Sequence, residues 1–289
     1  MKVWKSPIRI LLLYLCFLVV WANFNWAGFD LNFWFTQIFH FALLLAPGWL
    51  LYSAFLRNNV VNPTRWEHRV ITALILFLLF DVLFSWWVFL TVGLVTEVIQ
   101  RFVRLPTGPV VNPAATGVVA LSLFGQFPTW WGMNFGPRFE FMPGNISLIM
   151  IFTTLIAGYV AWKYHKLLIV AAATISFSIV YYLIFRSSPI SILVDGTFAF
   201  FLLVMVIEPK TSPAIQQQQA GYGSLVGGTV AVLLGAAYYS FWVEAYTSAL
   251  LMSNIVFNLY KNRMFLKNKW KSHIAPVATN AQHFLRKLW

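Results

Sequence analysis

The stretch Val194–Pro213, which reads VDGTFAFFLLVMVIEPKTSP, decides how this chain can be arranged. An apolar run of membrane-spanning quality begins just after Asp195 and ends at Glu208, although carboxylates are costly to bury in lipid. Pro209 follows Glu208 directly, and proline cannot continue a helix. We therefore expect a short apolar helix with polar residues at both of its ends.

The composition places this segment in a membrane protein. Of the 289 residues, 60% are hydrophobic, 18% are aromatic and only 10% are charged, which is too little polar surface to cover a soluble globule. The apolar runs are long and continuous, as spanning helices require. The single Cys16 has no partner within the chain, which excludes an internal disulfide and a cysteine-ligated cluster. The sequence therefore predicts an all-α polytopic membrane protein.

Apolar runs between polar residues predict about ten transmembrane helices. They lie at 8–22, 33–56, 70–84, 86–104, 113–127, 145–162, 167–185, 189–207, 222–242 and 246–260. We expect the third, fifth and eighth to be broken or half-length. The polar stretch AIQQQQAGYG, before the ninth run, is expected to be a connecting loop.

The positive-inside rule orients these helices. With the N-terminus inside, all of the 20 Lys and Arg residues except Arg138 and Arg186 fall on the cytoplasmic side. This topology accounts for the net charge of +12 without a nucleic-acid partner. We expect a multi-pass protein of a bacterial-type inner membrane with both termini in the cytoplasm.

Ten helices with both ends inside divide into two sets of five, and the second set then enters from the opposite face, as in inverted repeats. The expected domains are a first half (1–127), an outer aromatic loop (128–144), a second half (145–260) and a basic cytoplasmic tail (261–289). The tail is expected to lie on anionic lipid, and docking of a soluble partner is the alternative.

Local polar signals suggest three further features. Asn112 suits a helix cap before Pro113 in PTGPVVNPAATGVVAL, which indicates either a re-entrant or tightly packed helix start or a polar helix terminus that faces a buried cavity. Glu97 lies four residues before Arg101, which predicts an ion pair on one helix face. His40 is expected to be a packed or interfacial histidine rather than a haem or metal ligand.

Several motifs resemble one family in the same order. The segment NPAATGVVALSLFG is similar to the Asn-Pro-Ala helix start of the RnfD/NqrB family, whose members belong to the Rnf electron-transport complex and to sodium-translocating NADH:quinone oxidoreductase. The segments VITALIL, SWWVFLTVGLVTEVIQRFVR and ALLMSNIVFNLYKNR resemble other helices of that family, and Asp195-Gly196 with Glu208-Pro209-Lys210-Thr211 resembles its broken helix. The resemblance covers roughly 69–263.

The resemblance implies a ten-helix fold of two inverted five-helix halves in a flavin-linked, ion-coupled redox complex. Its partners would be other membrane subunits and a flavin- or iron–sulfur-bearing redox protein. The polar residues expected to line a cofactor or ion cavity between the halves are Thr72, Asn112, Asp195, Glu208, Thr211 and Asn254. No metal site is expected among them.

The chain departs from the family at its covalent flavin. Family members attach FMN to a threonine in an Asp-x-x-Ser/Thr-Gly-Ala-Thr sequence, whereas the corresponding loop here reads QFPTWWGMNFGPRFEFMPGN, with Thr129 as its only threonine. We therefore expect no covalent FMN, which leaves non-covalent FMN or riboflavin, a quinone or an ion for the cavity. The loop residues Trp130, Trp131, Phe135, Phe139 and Phe141 are expected to form an interfacial aromatic belt, with a stacking surface as the alternative.

Two other functions stay open at this point. The missing flavin sequence favours a channel or secondary transporter for a small polar solute on the same fold. The third reading is a structural subunit that retained the fold without the chemistry.

Overall fold

The computed structural model describes residues 6–56, 66–80, 83–105, 108–133, 148–208, 210–239 and 244–263, and its architecture is all-α, as predicted. A two-residue antiparallel pairing joins Arg104–Leu105 to Gly108–Pro109. The helices are α1 (Pro7–Ala27), α2 (Leu31–Leu56), α3 (Trp66–Leu79), α4 (Trp86–Phe102), α5 (Pro113–Ser122), α6 (Leu148–Lys163), α7 (Leu167–Phe185), α8 (Ile190–Leu193), α9 (Gly196–Phe200), a π-helical segment (Phe201–Val206), α10 (Gln216–Tyr238) and α11 (Ala245–Lys261).

Four helices in the described ranges are long and apolar enough to cross a membrane. They are α1, the part of α2 at Leu31–Leu51, α7 and α10. On α7, Ile175, Ile179 and Leu183 are each more than half exposed, at 61%, 57% and 56%. Large apolar side chains in such a row are stable against lipid rather than water, so the surface is that of a membrane protein.

The predicted limits of the apolar runs agree with most of the helices. The seventh run, 167–185, is reproduced as α7. The predicted break between the third and fourth runs is present, because α3 ends at Leu79 and α4 begins at Trp86. The third and fifth helices are indeed short, with 14 and 10 residues, and each ends five residues before its predicted limit. Asp81, near the end of the third run, lies outside the described residues.

The eighth run is broken, as its polar ends indicate. The short α8 is followed by Gly196–Val206, where α9 passes into the π-helical segment. Asp195 caps α9, since its carboxylate accepts a hydrogen bond from the Thr197 backbone N–H at 2.9 Å. The π-helical turns widen the helix just before Glu208 and leave it too short to span a bilayer by itself.

The ninth run begins earlier than predicted, so the expectation of a loop at AIQQQQAGYG is wrong. Helix α10 starts at Gln216, inside that stretch. Gln219 is buried, and its side-chain amide donates to the His165 backbone oxygen at 2.9 Å. A tertiary hydrogen bond thus uses a polar residue that local composition assigns to solvent.

The helices form two groups with similar packing. In the first, α1 packs on α3, α2 packs on α3 and α4, and α4 packs on α5. In the second, α6 packs on α9 and the π-helical segment, α7 packs on the π-helical segment and α10, and α10 packs on α11. Across the groups, α1 contacts α6 and α5 contacts α11.

Glycine permits a close helix contact in each group. A Cβ on Gly227 of α10 would lie 2.0 Å from the Ala173 backbone oxygen of α7. A Cβ on Gly93 of α4 would lie 2.7 Å from the Leu44 backbone oxygen of α2. Both separations are far below contact distance, so these helix pairs depend on the missing side chain, as small-residue helix interfaces in membranes do.

The first residues of the outer loop are packed rather than interfacial, which corrects the aromatic-belt expectation for them. Trp131 is only 8% exposed, and its indole N–H donates to the Phe77 backbone oxygen at 2.7 Å. Trp130 is half-buried and contacts the rings of Phe200 and Tyr246 edge-on. The predictions for Phe135, Phe139, Phe141 and the basic tail beyond 263 lie outside the described residues.

Candidate functional site

Asn112 stands at the start of α5 and makes contacts in two directions. Its side-chain oxygen accepts a hydrogen bond from the Ala115 backbone N–H at 2.9 Å, which caps the helix. Its side-chain nitrogen donates to Glu208 Oε2 at 2.9 Å and to the Met205 backbone oxygen at 3.4 Å. Asn112 is 2% exposed, so one buried amide joins α5 to the end of the π-helical segment.

Glu208 receives a second hydrogen bond from its own turn. Thr211 Oγ1 donates to the same Oε2 atom at 3.1 Å, and Thr211 is 1% exposed. The Ser212 hydroxyl donates to the Glu208 backbone oxygen at 2.7 Å and fixes the turn. Burial raises the pKa of the Glu208 carboxyl, against the lowering effects of Lys210 and of the Thr211 hydrogen bond. The carboxyl can therefore hold a proton to a higher pH than an exposed carboxyl does.

A small cavity opens beside these side chains. It has a volume of about 30 Å³ and is lined by Thr72, Asn112 and Glu208, with His68 and Tyr164 as further polar residues and apolar side chains around them. Thr72 Oγ1 donates to the His68 backbone oxygen at 2.9 Å, which leaves its lone pairs available to accept. The space suits one or two water molecules or a small ion.

Three of the six predicted site residues thus line one cavity, and Thr211 joins them through Glu208. Asp195 does not line the cavity, because it lies thirteen residues before Glu208, at the opposite end of the short helix. Its carboxylate caps α9 there. The predicted set of site residues therefore includes one, Asp195, that does not line the cavity.

Asn254 lies in a separate hydrogen-bonded group on α11. Tyr222 OH donates to Asn254 Oδ1 at 2.6 Å, and both residues are buried. Among the described residues the Asn254 side-chain nitrogen has no hydrogen-bond partner. Asn258, one turn further on, donates to the Val110 backbone oxygen at 2.8 Å and so ties α11 to the segment before Asn112. Asn254 does not line the cavity and belongs to the packing of α11 beside it.

A buried lysine holds the chain that follows Glu208. Lys166 is 4% exposed, and its ammonium donates to the backbone oxygens of Ser212, at 3.3 Å, and of Pro213. Burial, assisted by the charge of Lys261, lowers the pKa of Lys166 to about 8. The connection between α6 and α7 is thereby fastened to the turn that carries Thr211.

Sequence reasoning missed Glu244, a second buried carboxylate. It caps α11 by accepting from the backbone N–H groups of Tyr246, at 3.2 Å, and Thr247, at 2.6 Å, and it also accepts from the Thr247 hydroxyl and the Trp130 side chain. Burial raises the pKa of Glu244, which these hydrogen bonds oppose. An acid directly before an apolar run, with a threonine three residues later, was the available signal.

Two other predictions are decided by geometry. The ion pair of Glu97 and Arg101 is confirmed at 2.8 Å, and Arg69 joins it at 3.5 Å. His40 packs as expected, since its ring stacks on Phe89 with centroids 4.2 Å apart. In the described part of the chain, no group of three or more His, Cys, Asp or Glu residues could hold a metal ion.

The size of the cavity bears on the cofactor question. Pockets that enclose drug-sized molecules measure about 300–1,000 Å³, whereas this cavity holds about 30 Å³. An isoalloxazine or quinone ring does not fit it in this conformation, so the residues present suit a water molecule, a proton or a small cation instead.

Comparison with protein-family models and with curated proteins gives no match for this chain.

Proposed function

We propose that this chain is an integral membrane subunit of an Rnf/NQR-like electron-transport complex, in which Glu208 handles a proton or a small cation between two inverted five-helix halves. The observation that carries the proposal is the buried hydrogen bond from Asn112 to Glu208 Oε2, which joins residues 96 positions apart beside a water-sized cavity. Burying a carboxylate in that position is costly, and carboxylates buried in membrane proteins typically mark ion or proton sites.

The packing of the helices supports the inverted halves. The neighbours of α1, α2, α4 and α5 correspond in order to those of α6, α7, α10 and α11, while α3 corresponds to α9 with the π-helical segment. Equivalent helices meet across the boundary, α1 with α6 and α5 with α11, as a pseudo-two-fold axis requires. The short α3 and the broken eighth helix, which bear Thr72 and Glu208, then face each other.

The chemistry of the site supports a cation rather than an anion. Glu208 offers carboxylate oxygens, Thr72 offers hydroxyl lone pairs, and the other polar side chains that line the cavity are Asn112, His68 and Tyr164. Hard cations prefer such oxygen ligands, and a carboxyl whose pKa is raised also serves as a proton carrier. Electron transfer itself would be carried by a flavin- or iron–sulfur-bearing partner.

The test uses the complex purified from native membranes by a tag on this chain and reconstituted in vesicles. Cation or proton transport driven by a reduced donor is compared in wild type, Glu208→Gln and Asn112→Leu. We expect both variants to assemble with their partners and to lose at least tenfold in coupled transport. Asp30→Asn is the matched control, because Asp30 is an exposed carboxylate in a loop.

Three outcomes would contradict the proposal. Normal transport by Glu208→Gln would remove the site assignment. Uptake of a small polar solute by the purified chain without any redox donor would establish the transporter alternative. Stable co-purification with partners, together with normal activity of every cavity variant, would indicate a structural subunit.

Flavin absorbance released by acid from the isolated chain would show that a non-covalent flavin binds outside this cavity.

A further inference from the structure

A large apolar groove lies between α1 and α6, away from the Glu208 cavity. Its volume is about 610 Å³, within the range of pockets that hold small molecules. Its lining comes from α1 and α6 and includes Ile10, Leu13, Tyr14, Phe17, Leu155 and Tyr159. None of the described residues that line it is charged, and apart from the tyrosine hydroxyls its walls are hydrocarbon and aromatic.

The groove opens outward rather than into the protein. Leu13 and Leu155 are 55% and 67% exposed, and Tyr159 is 40% exposed. In a bilayer these side chains face lipid, so an acyl chain can enter from the side without crossing a polar barrier. A groove of this volume buries more of an acyl chain than a convex helix surface does.

Two cations flank one end of this groove. The ammonium of Lys163 lies 5.5 Å from the ring centroid of Tyr159 and 4.8 Å from that of Trp162, which holds it next to the groove lining. Arg9 directly precedes Ile10 on α1, and both cations are exposed. They share one end of the bundle, because Ile8 and Tyr164, their neighbours in sequence, line the same small cavity.

The position of these cations matches the membrane surface expected on the cytoplasmic side. The positive-inside rule places the start of α1 and the end of α6 there. That leaflet carries anionic headgroups, and basic pockets between helices on this side bind them. The groove thus offers a hydrocarbon wall for a chain and positive charge at the depth where a phosphate would lie.

We propose that the groove between α1 and α6 is a binding site for an anionic phospholipid, with one acyl chain along Leu13 and Leu155 and the phosphate between Arg9 and Lys163. The hydrocarbon walls supply affinity for any acyl chain, and the two cations supply preference for negative charge. This site is independent of the proposed function of Glu208.

The test is native mass spectrometry of the purified protein, titrated with phosphatidylglycerol or phosphatidylcholine of identical acyl chains. Wild type is expected to bind phosphatidylglycerol more tightly. Because each basic residue near a membrane surface contributes about a fivefold change in affinity, Arg9→Gln/Lys163→Gln should lose about 25-fold of that preference. Arg104→Gln removes another exposed cation, away from the groove, and should retain the preference for phosphatidylglycerol.

A second variant separates the groove from surface charge. Leu13→Trp fills the groove without altering charge, and it should weaken the binding of both lipids about equally. Its thermal unfolding midpoint, compared with that of wild type, checks that the fold is retained. Equal binding of the two lipids by wild type, an unchanged preference in the double charge variant, or unchanged lipid binding by Leu13→Trp would each overturn the proposal.

Discussion

Exchange of the hydrogen-bond donor and acceptor between Asn112 and Glu208 tests the link on which the site depends. Asn112→Asp retains the side-chain oxygen that accepts from Ala115 N–H, so the cap of α5 survives. The same substitution replaces the nitrogen that donates to Glu208 Oε2 at 2.9 Å with an oxygen. Two carboxylates would then face each other in a buried position.

The magnitude follows from that geometry. A hydrogen bond to a charged group contributes about 1.5–3 kcal/mol. Repulsion between two carboxylates at this separation would be about 6 kcal/mol at an effective dielectric constant near 20, so one of them is expected to take up a proton instead. We expect Asn112→Asp to lower the free energy of unfolding by about 2–4 kcal/mol near neutral pH.

The pH dependence has a defined sign. In the Asn112→Asp variant the shared proton raises a carboxyl pKa in the folded state above the unfolded value near 4. The folded variant then binds more protons than the unfolded chain, so its deficit is small at pH 5 and grows toward pH 8. Wild type, which has one carboxyl at this position, should show a smaller change over the same range.

The assay is unfolding by SDS in mixed micelles, at pH 5 and pH 8, on the single variants and on Asn112→Asp/Glu208→Gln. Glu208→Gln introduces an amide that can donate to the new carboxylate, so the double variant restores the bond in the reverse direction. We expect the double variant to recover at least about 1.5 kcal/mol of the sum of the single effects. Strict additivity of the two substitutions at pH 8 would refute the direct hydrogen bond.

Three further predictions concern the scaffold. The pKa of Lys166, about 8 in the folded state against an ordinary value of 10.5, means that the folded protein binds fewer protons than the unfolded chain between these values. The cost of burying the charged Lys166 should therefore fall by about 2 kcal/mol from pH 7 to 9.5, which is measured as a rise in the free energy of unfolding. Lys166→Met should abolish this rise. Absence of the rise in wild type would contradict the burial of Lys166. Gly227→Ala should cost about 1–3 kcal/mol in the same SDS assay, because its Cβ would clash with a backbone oxygen of α7, whereas Gly221→Ala, which meets nothing within 4 Å, should be neutral or stabilising. Trp131→Phe should lower the thermal unfolding midpoint, because it leaves a buried carbonyl of α3 without its indole donor at a cost of about 1–3 kcal/mol. Trp49→Phe, at a 77% exposed position, should leave the midpoint unchanged. Equal effects of the two substitutions would contradict the buried position of Trp131.

The sequence by itself determined the class of the protein and the positions of most helices. Long apolar runs can satisfy their backbone hydrogen bonds in lipid only as helices, so composition and run length located α7 to the residue and predicted the breaks after α3 and around Asp195. The pair Asn112-Pro113 predicted the start of α5, because helix capping depends on residues within one turn. The ion pair of Glu97 with Arg101 was equally predictable, since it depends on helical spacing.

Only the tertiary structure decided which polar residues meet. The hydrogen bond of Asn112 to Glu208 joins atoms 96 residues apart, and no local pattern specifies which of several polar helix ends will face each other. The same holds for Gln219, which polarity assigned to a loop, and for Trp131, which its aromatic loop assigned to the interface. Their partners, the backbone oxygens of His165 and Phe77, become available only when distant helices pack. Cavity volume is likewise a property of packed side chains, which is why the sequence left flavin, quinone and ion open while the packed structure leaves room for a water-sized occupant.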